Sequence, residues 1–314
     1  MTGFEFSNPL HAVLRRVVSG PSEGDSFATR AEPVRNAMTV DVEDFFQVQA
    51  FASCVDRGSW ERLPRRVEAN TDKVLNIFAD AGVKATFFVL GWVAERHPEL
   101  IRRIAAQGHE IASHGYAHIP VFDQKPEEFR ADVRRTKSML EDISGEPVRG
   151  YRAASFSIGD ATLWALPILG EEGYAYSSSI YPIVHDFYGM PAASRFPFRP
   201  NDGRLVEIPM TTVSILGRNL PCSGGGYFRL LPYGISRWAL RHVNIHDRMP
   251  CVFYFHPWEI DPGQPRPAGI PLKSRVRHYL NLSRTEGRLR RLLTDFGWGR
   301  MDWIFLDAAA PRAS

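Results

Sequence analysis

The sequence predicts an α/β fold: a parallel sheet of about seven or eight strands, covered by helices and built around one core. Three observations lead there. Short β-type runs alternate with helical patterns along most of the chain, the order that makes neighbouring strands parallel. At 314 residues, the chain has a length at which α/β barrels fold as a single domain. Polar residues interrupt the apolar runs near their ends, where loops at the carboxyl edge of a parallel sheet carry chemistry.

Residues 1–36, rich in Ser, Gly, Pro and Arg, read as a mobile lead-in, and the fold starts near Ala37. "AMTVDV" is the first strand, followed by a helix over Arg66 to Ala81. "KATFFVL", a helix over Ala94 to Gln107, and "EIASH" continue the alternation. A helix near Pro126 to Ile143, "VRGYRA", a helix from Asp160 to Glu172, "YAYSSSI", "LVEIPM" and "CVFYFHP" complete it. The Gly/Pro-rich piece from Met190 to Gly226 reads as a loop insertion around one strand, and "HPWEIDPGQPRPAGIP" as a second ordered loop. Basic helical residues Lys273 to Phe296, then "MDWIFLDAA", supply a last helix and strand. Residues 37–314 thus form one domain, with a C-terminal extension from about 257 to 314.

Composition excludes several classes. The chain is 44% hydrophobic and 23% charged, as in soluble globular proteins. No apolar run reaches the ~18 residues needed to span a bilayer. A net charge of +3, from 38 basic and 35 acidic residues, is too balanced for a nucleic-acid footprint. Cys54, Cys222 and Cys251 are far apart and odd in number, which fits reduced thiols rather than a disulfide framework. The first twenty residues lack a secretory leader pattern, so a cytoplasmic location is expected.

"TVDVEDFF" places Asp41, Glu43 and Asp44 in a run that otherwise reads as a buried strand. Buried carboxylates must be paired, protonated or bound to a metal. His114 ends another strand, Arg152 follows a third and His256 closes a fourth, so four strands deliver acids, bases and a guanidinium to one edge. "SHGYAH" spaces His114 and His118 as H-x-x-x-H, which on a helical turn puts both imidazoles on one face. Two neutral imidazoles and a carboxylate suit Zn²⁺ or a similar divalent ion. Chance pairs are common among ten histidines; the acids of "DVED" on a neighbouring strand end favour the metal. Gly115 stands where a zinc-protease glutamate would be, so the general base comes from elsewhere, and Asp41 is the natural donor.

Taken together and in this order, "TVDVED", "SHGYAH", "RGYRAASFSI" and "FYFHPWE" resemble the polysaccharide deacetylases of carbohydrate esterase family 4, including the nodulation-type chitooligosaccharide deacetylases. The likeness runs from about Ala37 to the C-terminus and is nearest to the branch of bacterial exopolysaccharide and exosortase loci. It implies a distorted (β/α) barrel and a metal-dependent deacetylase acting on N-acetylhexosamine units of a bacterial polysaccharide or oligosaccharide. By resemblance, Asp41 is the catalytic base, His114 and His118 bind the metal, Arg152 orients the base and His256 is the general acid. The family's paired aspartates read D-V-E-D here. Asp44 is favoured as the carboxylate ligand on ligand type, with Glu43, on the strand face of Asp41, close behind. Ser177 stands where the family often has an aspartate bracing the acid histidine, so either Glu259 or Asp261 braces His256 or that histidine is held less strongly.

The triple glycine of "PCSGGGYFRLLP" lacks a phosphate-loop ending and suits a turn or a close approach to a sugar ring. Tyr151, Tyr227 and Trp258, with Phe156, lie near the motifs as candidate sugar platforms, although aromatic side chains more often pack cores. Arg275, Arg277, Arg284, Arg288, Arg290 and Arg291 read as a solvated helix face, or as a peripheral contact with the inner surface of an acidic membrane. Two rival functions are a cyclic amide hydrolase of the same fold and a non-catalytic glycan-binding module; the second predicts a lost metal ligand.

Overall fold

The computed structural model describes residues 34–186, 188–200 and 203–306. The expected lead-in lies almost wholly outside the described residues, as does the end of the tail after residue 306. The central strand is β1 (Arg35–Val42), seven of whose eight residues are buried, as a strand covered on both faces requires. On one edge it pairs with β2 (Thr86–Val89), which continues through β3 (Glu110–Ser113), β4 (Gly150–Tyr151), β5 (Tyr176–Ser177) and β6 (Val206–Glu207), all parallel. Its other edge pairs in parallel with a strand over Val252–Phe255, here called β9.

The result is a curled half-barrel of parallel strands, β9-β1-β2-β3-β4-β5-β6. Between β6 and β9 the wall is carried by an antiparallel hairpin, β7 (Thr212–Ile215) and β8 (Arg218–Pro221), and by a single bridge from Gly224 to Tyr254. Gly224 is required there: a Cβ would lie 1.9 Å from the Tyr254 carbonyl oxygen, and its φ is +125°.

Helices over Val67–Asp80, Pro126–Ser144 and Ala165–Glu171 fall where the alternation predicts, between successive strands. The helix expected over Ala94–Gln107 is two, Gly91–Arg96 and Pro98–Ala106, because Pro98 removes a donor and His97 leaves helical geometry. The stretch Met190–Gly226 holds a hairpin as well as β6, and helices Gly225–Leu230 and Tyr233–His242 follow it. The basic tail helix is likewise two, Leu272–Tyr279 and Leu282–Asp295, parted where Asn281 takes a left-handed conformation at φ 55°. It does not present one solvated face: Arg288 turns inward onto the carbonyls of Phe228, Arg229 and Leu231, and Arg290 pairs with Asp80 and Glu286. Among the described residues, no helix is long and apolar enough to cross a membrane.

The expected final strand is displaced. The strand is β10 (Gly297–Gly299), and Met301–Phe305 is helical. Ala37 pairs with both Val252 and Gly299, so β10 lies on the edge of β1 opposite β9. The short helix starts on tertiary partners: Thr86 Oγ1 accepts from Met301 N at 2.8 Å, and Glu110 Oε2 from Asp302 N at 3.2 Å. Burial, and then the nearby Asp302 carboxylate, push Glu110 up to about 8 from its ordinary 4.5. The unfolded chain releases this proton first, so the group makes stability fall as pH rises from 4.5 to about 8. Glu110→Gln is expected to flatten that fall, measured by urea unfolding at about pH 5 and about pH 8.5.

Candidate metal centre and active site

The carboxyl ends of β1, β3, β4 and β9 converge on one buried polar cluster. Asp41 is the next-to-last residue of β1; its Oδ1 accepts a hydrogen bond from Arg152 Nη1 at 2.6 Å. Arg152, wholly buried after β4, also donates to Thr39 Oγ1 at 2.8 Å and to the Ser178 carbonyl at 3.2 Å. Its guanidinium lies 4.0 Å above the Phe88 ring. A buried charge is tolerable only with such partners, and together they keep Asp41 Oδ1 engaged while Oδ2 faces the cluster.

His114, just past β3, uses Nδ1 on the Arg152 carbonyl at 2.8 Å. A carbonyl only accepts, so Nδ1 carries the proton and Nε2 keeps its lone pair. His118 Nε2 lies 3.2 Å from Glu43 Oε2. Donor atoms of Glu43, His114 and His118 all lie within 4.8 Å of one another, in a wholly buried group. Burial lowers both imidazoles from their ordinary value, His118 strongly, and the neutral ring is the form that binds a metal.

Burial also pushes Glu43 up to about 7, against the pull of His256 and Trp258. Its Oε1 accepts from Trp258 Nε1 at 3.2 Å, while Oε2 is buried with no hydrogen-bond partner. An orphaned carboxylate oxygen beside two neutral imidazoles fits a divalent cation, which would restore the charged carboxylate and occupy the free lone pairs.

The spacing of the two histidines works by a route other than the expected helical turn. Residues 114–120 are a bent loop, with Gly115 at φ 72° and His118 at φ 51°. Its backbone is pinned: the Gly115 and Tyr116 carbonyls accept from Gly91 and Trp92, and Asp132 accepts from Tyr116 N at 3.1 Å. The two rings end 5.2 Å apart.

Asp44, favoured above as the carboxylate ligand, lies outside this group, and Glu43 takes the place. Asp44 Oδ1 accepts from Phe45 N, and Oδ2 from Arg66 N and Val67 N at 2.7 and 3.0 Å. It satisfies orphan donors at the start of the helix Val67–Asp80, a capping function supplied from a distant loop.

His256 follows β9. Its Nε2 lies 3.4 Å from Glu43 Oε1 and 3.9 Å from Asp41 Oδ2, and 18% of its side chain is exposed, making it the open side of the cluster. Its Nδ1 is 2.7 Å from Glu259 Oε1. Burial opposes its charge, but Glu43 and then Glu259 raise it to about 9. Of the two carboxylates expected to brace His256, Glu259 does so, while Asp261 pairs with Arg66 and Asn70. Ser177 bonds to Ser179 instead. Glu259 is in turn held by Arg229, whose Nε donates to Oε2 at 2.6 Å. Burial would raise Glu259, yet Arg229 and His256 hold it at about 2.

The expected sugar platforms divide. Tyr151 is buried against Phe129 and Tyr174, and Trp258 is buried between His256 and His278, so neither offers a free face. Tyr227 stays half-buried. Sequence reasoning missed Arg229 and the Trp258 hydrogen bond to Glu43. An isolated arginine in "GGGYFRLL" carries no local signal.

Residues 47–173 match the family model described as polysaccharide deacetylase, and residues 178–306 match one described as a domain of unknown function (DUF3473). A peptidoglycan-N-acetylglucosamine deacetylase of Bacillus cereus is 37% identical over 75 residues, 24% of this chain and 27% of the relative. The matched stretches span less than half the length of the curated relatives. A candidate polysaccharide deacetylase from Mycobacterium smegmatis superposes at TM-score 0.57, with 21% identity, over 91% of this chain and 96% of that one. Puue allantoinase superposes at 0.58 with 14% identity, over 95% and 98%. These structural likenesses concern the fold. With its motifs in order on a half-barrel of this topology and the family match over residues 47–173, the chain carries a polysaccharide deacetylase domain of carbohydrate esterase family 4.

Proposed function

We propose that this chain is a metal-dependent hydrolase that removes acetyl groups from N-acetylhexosamine units of a bacterial polysaccharide or oligosaccharide. The observation that carries the reading is the orphaned Glu43 oxygen grouped with His114 and His118, flanked by the Asp41–Arg152 pair on one side and His256 on the other. Glu43, His114 and His118 hold the ion, with Zn²⁺ the best fit to two nitrogens and one oxygen. When bound, such an ion lowers the pKa of a water and polarises an acetyl carbonyl.

The chain's own residues do the rest. Asp41, with Oδ1 fixed by Arg152, takes a proton from the attacking water at Oδ2. His256 enters protonated and gives its Nε2 proton to the sugar amine as the carbon–nitrogen bond breaks. Its ring is held for that transfer by Glu259 at Nδ1 and by stacking on Trp258. Half-buried Tyr227 is the sugar platform of the three first considered. The similarity to a peptidoglycan-N-acetylglucosamine deacetylase supports the N-acetylhexosamine class.

The test is acetate release from N-acetylglucosamine oligomers by purified protein. Release is expected to be abolished by a chelator and restored by added Zn²⁺. Release that persists after exhaustive chelation would overturn the metal dependence. Hydrolysis of a cyclic amide with no oligomer accepted would move the function to that chemistry.

A further inference from the structure

We propose that Arg229, from the segment of unknown function, is a positioning residue for the reaction: it fixes Glu259 so that Glu259 fixes the His256 imidazole. The inference rests on the deacetylase reading above. It goes further in giving residues 178–306 a defined part in the site.

Asp41 and Glu43 precede both matched segments, and the rest of the machinery is divided between the two. His114, His118 and Arg152 lie in 47–173, whereas His256, Glu259 and Arg229 lie in 178–306. Glu259 sits three residues after His256 and accepts both from the backbone N–H of His256, at 3.1 Å, and at Nδ1, at 2.7 Å, through one oxygen. That leaves Oε2 free to swing the carboxylate out of line unless something holds it. Arg229 Nε does so at 2.6 Å.

Arg229 is itself anchored. Its Nη1 donates to the carbonyls of Arg277, His278 and Leu280 at 2.9, 2.5 and 3.3 Å. These belong to the last turn of the helix Leu272–Tyr279 and its exit, where carbonyls lack intrahelical partners and the helix dipole favours a cation. Asn281, in the left-handed conformation that parts the two tail helices, donates from Nδ2 to the Arg229 carbonyl at 2.8 Å, and Arg288 adds a second donor to it at 3.0 Å. The same tail places His278 face to face with Trp258, 4.1 Å between centroids, and Trp258 against His256. The Glu259 brace and the Trp258 stack on the His256 ring therefore both lead back to the tail that runs through Leu280–Asn281.

The experiment compares Arg229→Gln, Arg229→Lys, Glu259→Gln and the Arg229→Gln/Glu259→Gln double variant as full-length, metal-loaded protein. In Arg229→Gln, kcat for acetate release is expected to fall about ten- to a hundredfold with KM unchanged, and Arg229→Lys to recover part of it. The double variant should be no worse than Glu259→Gln alone, because both act through one contact. A second readout needs no substrate: the His256 Nδ1–H resonance in protein with ¹⁵N-labelled histidine should be sharp in the parent and lost or shifted in Arg229→Gln. Folded Arg229→Gln with parental kcat and an unmoved resonance overturns the proposal, as does a loss that adds to that of Glu259→Gln. If Arg229→Gln does not fold, Arg229→Lys decides by the same resonance and the same kcat. A parent that releases no acetate defeats the deacetylase reading, while the resonance still decides the role of Arg229.

Discussion

Glu43→Gln is expected to weaken Zn²⁺ binding by more than about a hundredfold, beyond the usual cost of losing an outer partner of a metal ligand. Asp44→Asn is expected to leave binding within about threefold and instead to destabilise the fold by about 2 kcal/mol. The two acids are adjacent and both buried, so the contrast tests geometry rather than charge. Glu43 Oε2 has no hydrogen-bond partner among the described residues, and an ion would supply a ligand bond in its place. Asp44 already accepts from three backbone N–H groups, two of them at the start of a helix. Isothermal titration with Zn²⁺ and urea unfolding read the two effects separately. The reverse pattern, with Asp44→Asn losing the metal, would refute the assignment.

Asp41→Asn should lower kcat by roughly 10²-fold or more, and His256→Gln by a similar factor, since each removes one half of the proton traffic. The two variants should differ in stability. Asp41→Asn leaves the wholly buried Arg152 without its counter-ion, a loss of about 3–5 kcal/mol. His256 is partly open and its loss costs less. Asp41→Asn combined with Arg152→Met should regain much of the stability and none of the activity. Recovery of acetate release in that double variant would show that Asp41 serves the fold, not the chemistry.

The placement of the site was legible because parallel strands end on one edge of a sheet. Any polar residue closing an apolar run lands there, so Asp41, His114, Arg152 and His256 could be grouped before any coordinates. Strand periodicity also put Glu43 on the face of Asp41; preferring Asp44 weighed ligand type over parity, and parity was the stronger physical constraint. The H-x-x-x-H spacing singled out two histidines that do lie together, but through a conformation other than the expected helical turn. Two residues at positive φ in a loop pinned by Asp132 bring the rings together without a helix.

What the sequence determined by itself was the alternation, the parallel sheet and the strand ends that carry acids and imidazoles, because these follow from local periodicity; its curl into a barrel was implied by the family resemblance. What only the tertiary structure decided was which carboxylate meets the histidines, which one braces His256, and that Arg229 stands behind it. Those outcomes depend on which oxygen is left unpaired once every backbone donor has chosen its partner. Asp44 was claimed by a helix start 22 residues away, Glu259 by an arginine 30 residues back, and Trp258 by stacking between two histidines. Hydrogen-bond satisfaction is settled across the whole core at once, so no short stretch of chain records it.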